Sequence, residues 1–160
     1  YRIATNSTKT ITTQGFSLGL NYYLDSKYTF NGNFSWNKLN KQIDDPIIPA
    51  YNTPEFKFNV GLSGKDINIE LNEKSLIKDI GFSFNYKWVQ GFLFEGSPQF
   101  TGKVPTYGLL DLQVTKNMKK QNLAIKIGAS NILNNRVLQV YGGPFIGRMA
   151  YISLLFDFKD

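Results

Sequence analysis

The chain contains no cysteine and no histidine among its 160 residues. Without cysteine, neither a disulfide framework nor a thiolate metal site can form. Without histidine, the commonest general base, the commonest metal ligand and any serine–histidine triad are missing. No other constellation of a nucleophile with an acid or base stands out. We therefore predict that the chain is not an enzyme, that it has no metal site and that it needs no cofactor.

Long apolar runs and clusters of basic residues are also missing. The wholly apolar stretches are a few residues long, far short of the ~20 that a membrane-spanning helix needs. The net charge is +6, but the basic residues are scattered singly apart from Lys119-Lys120, so no nucleic-acid partner is predicted. The opening residues, YRIATNSTKT, show no signal peptide, so for an exported protein we expect the N-terminal part to lie outside this sequence.

Apolar and polar residues alternate along the chain with a period of two, which is typical of half-buried β-strands. In YTFNGNFSWN, for example, Tyr28, Phe30, Phe34 and Trp36 fall on one face, and threonine, asparagine and serine fall on the other. No window shows helical periodicity, and glycine and asparagine are too frequent for one. The alternation predicts seven strands, at 16–24, 28–37, 56–65, 80–88, 110–115, 123–130 and 150–158.

The predicted connections alternate in length. Short or polar links are expected near 25–27, 66–79 and 118–119. Long links rich in proline, glycine and aromatic residues are expected at 39–54, 91–106 and 132–147. Outer-membrane barrels have short periplasmic turns and long extracellular loops in this order.

The predicted fold class is all-β, as an antiparallel transmembrane β-barrel segment of about seven strands. A soluble β-sandwich alternates in the same way and remains the alternative. Strands of about ten residues, aromatic residues near strand ends and a polar face suited to a water-filled lumen favour the barrel. The outward set is Phe16, Leu18, Phe58, Phe84, Leu112, Ile125 and Leu154. The lumen set is Asn21, Asn33, Ser63, Asn85, Gln113 and Ser130.

Several motifs together resemble the closing strands of TonB-dependent outer-membrane receptors. They are VPTYGLLDLQV, SNILNN, YGGPFIGR and a last strand that ends in Phe158. TTQGFSLGLNYYL and PAYNTPEFKFNVGLSG also resemble strands of that family, so the resemblance covers residues 11–158. The most similar branch carries an N-terminal carboxypeptidase-regulatory-like domain, and the starch-utilisation (SusC-like) branch is the alternative.

The resemblance implies a 22-strand barrel in the bacterial outer membrane, with a plug inside, that takes up a solute when TonB pulls on the N-terminal part. We expect residues 1–160 to be the C-terminal part of such a barrel, without the plug and the remaining strands. Seven strands cannot close a wide barrel, so we expect an open sheet. Expected partners are outer-membrane lipid, lipopolysaccharide, the TonB system, the barrel-insertion machinery and a lipoprotein.

Three sets of residues are candidates for function. A barrel-assembly signal is expected at Ile152, Leu154, Phe156 and Phe158. Ligand or partner contacts in the loops are expected at Tyr51, Phe92, Phe94, Tyr141 and Phe145. Lumen-facing polar residues are expected at Lys57, Asn85, Lys87, Asp111 and Lys126.

Within the third set, a turn at Met118-Lys119 predicts that Asp111 faces Lys126 as a cross-strand pair. Two alternatives to uptake remain open. One is a receptor-like barrel that serves as a structural subunit of a larger outer-membrane complex, and the other is a soluble carbohydrate-binding β-sandwich.

Overall fold

Strands make up most of the described chain. The computed structural model describes residues 12–40, 51–72, 75–96 and 98–158. Its strands are β1 (Thr12–Tyr23), β2 (Tyr28–Asn40), β3 (Phe56–Asn72), β4 (Ser75–Val89), β5 (Phe92–Phe94), β6 (Gly102–Val104), β7 (Tyr107–Met118), β8 (Leu123–Ser130), β9 (Val137–Leu138), β10 (Phe145–Ile146) and β11 (Met149–Phe156). Single turns of 3₁₀-helix lie at Pro98–Phe100 and Lys119–Gln121. The predicted all-β class is confirmed.

The seven longer strands form one antiparallel sheet in the order β1-β2-β3-β4-β7-β8-β11. Each of them pairs with the longer strand that precedes or follows it along the chain, so the sheet is a meander. The strands β1 and β11 lie at opposite edges, and neither has a second partner within the described residues. The number of long strands and the open sheet agree with the sequence prediction.

Successive connections alternate between the two ends of the sheet. At one end, here called the turn end, the strands are joined by 24–27, 73–74 and 119–122. At the other end, here called the loop end, they are joined by 41–55, 90–106 and 131–148. Residues 41–50, 73–74 and 97, which fall within these connections, lie outside the described residues. The pairs β5–β6 and β9–β10 form small hairpins inside the two later loops.

Most of the residues at 66–79, where a connection was predicted, lie in two paired strands. The strand β3 continues to Asn72 and β4 begins at Ser75. The register shifts between Gly64 and Ile67, and Asp66 has a φ of 52°. A bulge of this kind inserts an extra residue and breaks the period of two while strand pairing continues. The alternation of apolar and polar residues is interrupted here, so the sequence predicts a connection although the two strands remain paired.

The turn between β7 and β8 lies later in the chain than predicted. It comprises Lys119 to Asn122, and Asn122 adopts the left-handed conformation with a φ of 49°, which asparagine tolerates better than most residues. This turn pairs Thr115 with Lys126. The predicted pair of Asp111 with Lys126 is therefore wrong, because it assumed an earlier and tighter turn.

Burial is concentrated at the loop end. Val89, Val104 and Val137 are the buried apolar side chains of the described residues, and they lie at the end of β4, in β6 and in β9. The large sheet itself has no covering layer in the ranges described, since Leu18 is 65% exposed and Leu154 is 68% exposed. A β-sandwich packs one face of each sheet against the other, and this arrangement differs from it.

Candidate functional site

The strand register gathers apolar side chains on one face of the sheet. Residues paired across an antiparallel ladder share a face. One row of pairs crosses all seven strands through Tyr22, Phe30, Leu62, Phe84, Leu112, Ala129 and Ala150. The adjacent row crosses the same strands through Tyr23, Thr29, Ser63, Ser83, Gln113, Gly128 and Tyr151. We call the faces that contain these rows the apolar face and the polar face, and the predicted division of residues between two faces is confirmed.

Aromatic rings line the apolar face near both ends of the strands. Near the loop end, Phe16 contacts Trp36 with ring centroids 5.7 Å apart, and Phe58 stacks on Trp88 at 5.5 Å. Near the turn end, the centroids of Tyr28 and Phe82 are 6.3 Å apart. Pairs of aromatic rings at such distances contribute about 0.5–1.5 kcal/mol beyond the area that they bury.

Many large side chains of the apolar face are left exposed. Full burial of one large apolar side chain is worth about 1.5–3 kcal/mol. Leu18, Val114, Ile127, Ile152 and Leu154 are each more than half exposed. For these side chains alone the missing stabilisation is roughly 5–10 kcal/mol, which is comparable with the whole stability of a typical domain. The face is therefore a large exposed apolar surface of the kind that marks a contact with lipid or with another protein.

The predicted assembly signal lies along the edge strand β11 and just beyond it. Ile152 and Leu154 pair with Ile127 and Ile125 on the apolar face. Phe156 is the last residue of β11 and pairs with Leu123. Phe158 follows the strand, and its ring meets that of Phe156 edge to face, with centroids 4.7 Å apart.

All four side chains of the predicted signal are exposed: Ile152, Leu154, Phe156 and Phe158. The edge strand therefore offers an apolar surface at spaced positions to whatever lies against it.

The polar face is held together by hydrogen bonds between strands. The Ser17 and Ser35 hydroxyls are 2.9 Å apart. The Tyr151 hydroxyl donates to Gln113 Oε1 at 2.9 Å and passes over Gly128, where a Cβ would lie 2.5 Å from that hydroxyl. Glycine at this position thus lets one side chain of β11 reach across β8 to β7.

All five residues predicted to face the lumen lie on the polar face: Lys57, Asn85, Lys87, Asp111 and Lys126. Asp111 pairs with Asn85 across the β4–β7 ladder. Lys57 and Lys87 lie diagonally on neighbouring strands, since Lys57 pairs with Val89 and Lys87 pairs with Asn59. The structure thus brings Lys57 close to Lys87, and places Asp111 opposite Asn85 and diagonal to Lys87, while Lys126 lies farther along the sheet.

Asp111 has a structural partner that the sequence did not reveal. Its Oδ1 accepts a hydrogen bond from the backbone N–H of Asn131 at 2.8 Å. Asn131 is buried and has a φ of 51°. Its side-chain Oδ1 accepts from the Asn135 N–H at 3.0 Å, and its Nδ2 donates to the Asn135 carbonyl at 2.7 Å. These bonds fold the start of the last loop back over the end of the sheet.

The other asparagines of the same segment extend this network. Asn134 Oδ1 accepts from the Arg148 N–H at 3.1 Å, and Asn135 Nδ2 donates to the Gly108 carbonyl at 3.0 Å. Arg148 Nη1 also donates to the carbonyl of Ile132 at 3.4 Å. The SNILNN motif is the signal that marks this network in the sequence, but its contacts with Asp111, Gly108 and Arg148 join residues far apart in the chain.

The five aromatic residues predicted in the loops, Tyr51, Phe92, Phe94, Tyr141 and Phe145, all lie at the loop end. Phe145 is the most exposed of them at 69%, and the other four are half-buried. Tyr51 and Phe92 line one cavity of about 320 Å³. Gln90 also lines it, and the Oε1 atom of Gln90 is buried with no hydrogen-bond partner among the described residues.

The loops at 90–106 and 131–148 pack against each other through contacts between aromatic rings and glycines. The ring of Tyr141 lies against Gly102, where a Cβ would be 2.2 Å from it. The ring of Phe100 lies against Gly142 in the same way, and Gly142 has a φ of 79°. A side chain at either glycine would displace the opposite ring, so this pair of contacts fixes the relative position of the loops. Nothing in the local sequence pattern marks Phe100 as part of this contact.

An ion cluster joins the strands at the turn end. Lys119 Nζ lies 2.7 Å from Asp79 Oδ1 and 3.1 Å from Asp66 Oδ1. The hydrogen bond from Lys119 lowers the pKa of Asp79 below its ordinary value. The bonds to Asp79 and then to Asp66 raise the pKa of Lys119. These contacts tie the β7–β8 turn to the extended β3–β4 hairpin.

Within the described ranges, no three acidic, cysteine or histidine side chains come together as a metal site. None of the helices in those ranges has the length and apolarity to cross a membrane. Comparisons with protein-family models, curated proteins and solved structures found no match.

Proposed function

We propose that this chain forms part of the wall of an outer-membrane β-barrel of the TonB-dependent receptor type, which takes up a solute across the bacterial outer membrane. The observation that supports it best is the row of seven apolar residues that runs from Tyr22 to Ala150 across the whole sheet, next to a mostly polar row. In this proposal the apolar face contacts lipid hydrocarbon, and the polar face lines the water-filled interior.

The length of the apolar face supports this placement. Along β4, alternate residues from Ile80 to Trp88 lie on the apolar face. A tilted transmembrane strand needs roughly 9–11 residues, so this stretch is long enough to cross. The aromatic pairs near both ends of the strands suit the two membrane interfaces, where such rings are enriched. The hairpin at 65–79 and the turn at 119–122 then lie outside the hydrocarbon.

The open edges support a larger barrel. Strand edges left unpaired in hydrocarbon carry backbone N–H and C=O groups whose desolvation costs several kcal/mol each. In this proposal β1 and β11 therefore pair with further strands of the same barrel. Ile152, Leu154, Phe156 and Phe158 form the spaced apolar series that the barrel-insertion machinery recognises.

Fractionation and uptake test the proposal together. The receptor that carries this segment is expected in the outer-membrane fraction of a Gram-negative host, with heat-modifiable migration that indicates a folded barrel. Cells that lack it are expected to lose uptake of at least one solute from a defined mixture, and a protonophore is expected to abolish that uptake in the parent. Recovery in the soluble fraction without detergent would support the β-sandwich instead.

A third outcome separates uptake from a scaffolding role. If the protein lies in the outer membrane and its deletion disrupts a larger complex while uptake is unchanged, the structural-subunit alternative is correct.

A further inference from the structure

Two lysines share one open cavity on the polar face. Lys57 on β3 and Lys87 on β4 are diagonal neighbours in the sheet, and residues in such positions lie about 7–8 Å apart. Both line a cavity of about 490 Å³. Ser17, Asn33, Ser35 and Asn59 also line it, so hydroxyl and amide groups surround the two ammonium groups.

Neither lysine forms an ion pair with a described residue, because the ion pairs formed there both belong to Lys119. The carboxylate of Asp111 on β7 is a diagonal neighbour of Lys87, since Lys87 pairs with Leu109, and it accepts a hydrogen bond from the Asn131 N–H. The carboxylate of Glu55, just before β3, accepts from Trp36 Nε1 at 3.3 Å. Both nearby carboxylates thus have other hydrogen-bond partners.

We propose that Lys57 and Lys87, with the hydroxyls and amides around them, bind an oxyanion group, a carboxylate or a phosphate, of the solute that passes along the polar face. The inference rests on the proposed function, because it takes the polar face to be the path of the solute. Two like charges side by side repel each other, and an anion between them removes that repulsion. Ammonium groups donate several hydrogen bonds to such an anion.

The cavity suits a small ligand rather than a macromolecule. Binding sites for small molecules commonly enclose about 300–1,000 Å³, and this cavity lies in that range. The neighbouring hydroxyl and amide groups can donate to the hydroxyls or further oxygens of the same solute. An uncharged solute would leave the lysine pair without a partner, so the site discriminates in favour of anionic compounds.

Lysine acetylation of the folded, detergent-solubilised receptor tests the site. Pyrophosphate and citrate serve as probes at constant ionic strength, sucrose is the uncharged control, and mass spectrometry gives the acetylation rate of each lysine. Either anion is expected to slow acetylation of Lys57 and Lys87 several-fold and saturably. Lys126, on the same face, and Lys120, in the turn, are expected to react at unchanged rates.

Equal protection of all four lysines would overturn the proposal, because it would indicate general screening. Absence of protection would also overturn it. If Lys57 and Lys87 do not react even without a probe, they are paired with a carboxylate elsewhere in the receptor. That result would also overturn the proposal.

Variants give an independent readout. The Lys57→Gln/Lys87→Gln double variant is expected to lose most of the affinity for pyrophosphate, whereas Lys126→Gln keeps it. Equal affinity in the two variants would contradict the site. The measurement uses purified receptor, so the anion site can be disproved even if the protein is found in the outer membrane as proposed. Equally, the site can bind anions even if the protein proves not to be an uptake receptor.

Discussion

The two faces of the sheet hold their strands together in different ways. On the apolar face, rings and aliphatic chains touch across strands, as Phe58 does with Trp88. On the polar face, hydroxyl and amide groups bond across strands, as Tyr151 does with Gln113. The first kind of contact leaves an apolar surface, whose exposure to water is unfavourable. The second leaves a polar surface that water can solvate. A shift of the register by one residue would exchange the faces, so the pattern specifies the register strongly.

Arginine at two neighbouring positions of β11 is expected to give the largest contrast between the faces. Leu154 lies on the apolar face opposite Ile125, and Ser153 lies on the polar face opposite Lys126. An arginine in mid-membrane on the lipid side costs roughly 2–4 kcal/mol. On the polar face, repulsion between the new arginine and Lys126 costs at most about 1 kcal/mol.

The amount of heat-modifiable, folded receptor in outer membranes is therefore expected to fall far more for Leu154→Arg than for Ser153→Arg. The strand, and nearly the depth, are the same in both variants. Equal amounts, or less folded protein with Ser153→Arg, would show that the face of β11 is wrongly assigned.

A smaller effect is expected where the polar face continues into the last loop. Asn131→Gly keeps the left-handed backbone but removes both side-chain bonds to Asn135. Buried groups left without partners cost about 1–3 kcal/mol, so the free energy of unfolding should fall by that amount in a urea titration.

Asn122→Gly is the matched control for this substitution. Asn122 has almost the same backbone conformation, but its side chain is exposed and forms no hydrogen bond with a described residue. Its substitution is expected to change the free energy of unfolding little. Equal effects of the two substitutions would mean that backbone conformation, rather than the side-chain network, stabilises the loop.

The sequence predicted the sheet well because one physical rule controls it. Period-two alternation identified all seven long strands. It also assigned the correct face to each residue of the outward set and of the lumen set. The rule fails where a bulge changes the count, as near Asp66, and where a turn such as Lys119 to Asn122 has no proline or glycine to mark it.

The site was less predictable, because its contacts join residues that are distant in sequence. Asp111 was identified as a polar-face residue but given the wrong partner, since the Asn131 N–H reaches it only after the loop has folded. The contact of Phe100 with Gly142 likewise depends on two loops meeting in space. Nothing in a local pattern signals either contact, although the asparagine-rich and glycine-rich composition marks both segments.

Glycine-to-alanine substitutions test the contact that Tyr151 makes across Gly128, with Gly32 on the apolar face as an uncrowded control. On the polar face, a Cβ at Gly128 would lie 2.5 Å from the Tyr151 ring. On the apolar face, a Cβ at Gly32 would have no atom nearer than 3.6 Å. We expect Gly128→Ala to lower the free energy of unfolding by about 1–3 kcal/mol through overpacking.

Gly32→Ala is expected to be neutral or slightly stabilising, because alanine has less backbone entropy to lose than glycine. Adding Tyr151→Ala should cancel most of the effect of Gly128→Ala in a double-mutant cycle. Additive effects of the two substitutions would contradict the predicted contact.

The smallest effect is expected at the turn end, outside both faces. Asp79 has a lowered pKa, so its contribution is complete above the ordinary value of 3.8 and is lost as the pH falls through the lowered pKa. Lys119 has a raised pKa, so its contribution is complete below 10.5 and is lost as the pH rises through the raised pKa. A spin label at Ile69, in the extended hairpin, should become more mobile at either extreme.

Lys119→Met is expected to make the mobility of that label independent of pH over the same range. Lys120→Met is the control, because Lys120 forms no ion pair with a described residue, and it should leave the pH dependence unchanged. The same loss of pH dependence in both variants would mean that the ion cluster does not hold the hairpin.

The most direct measurement of the central claim is the environment of three consecutive residues in the middle of the sheet. The chain has no cysteine, so single cysteines at Ser83, Phe84 and Asn85 can each carry a spin label in the receptor in lipid bilayers. We expect the label at Phe84 to collide mainly with dissolved oxygen, which concentrates in lipid, and those at Ser83 and Asn85 to collide relatively more with a water-soluble nickel chelate. Equal accessibility at all three positions, or a label at Phe84 that favours the nickel chelate, would contradict the assignment of the apolar face to the membrane.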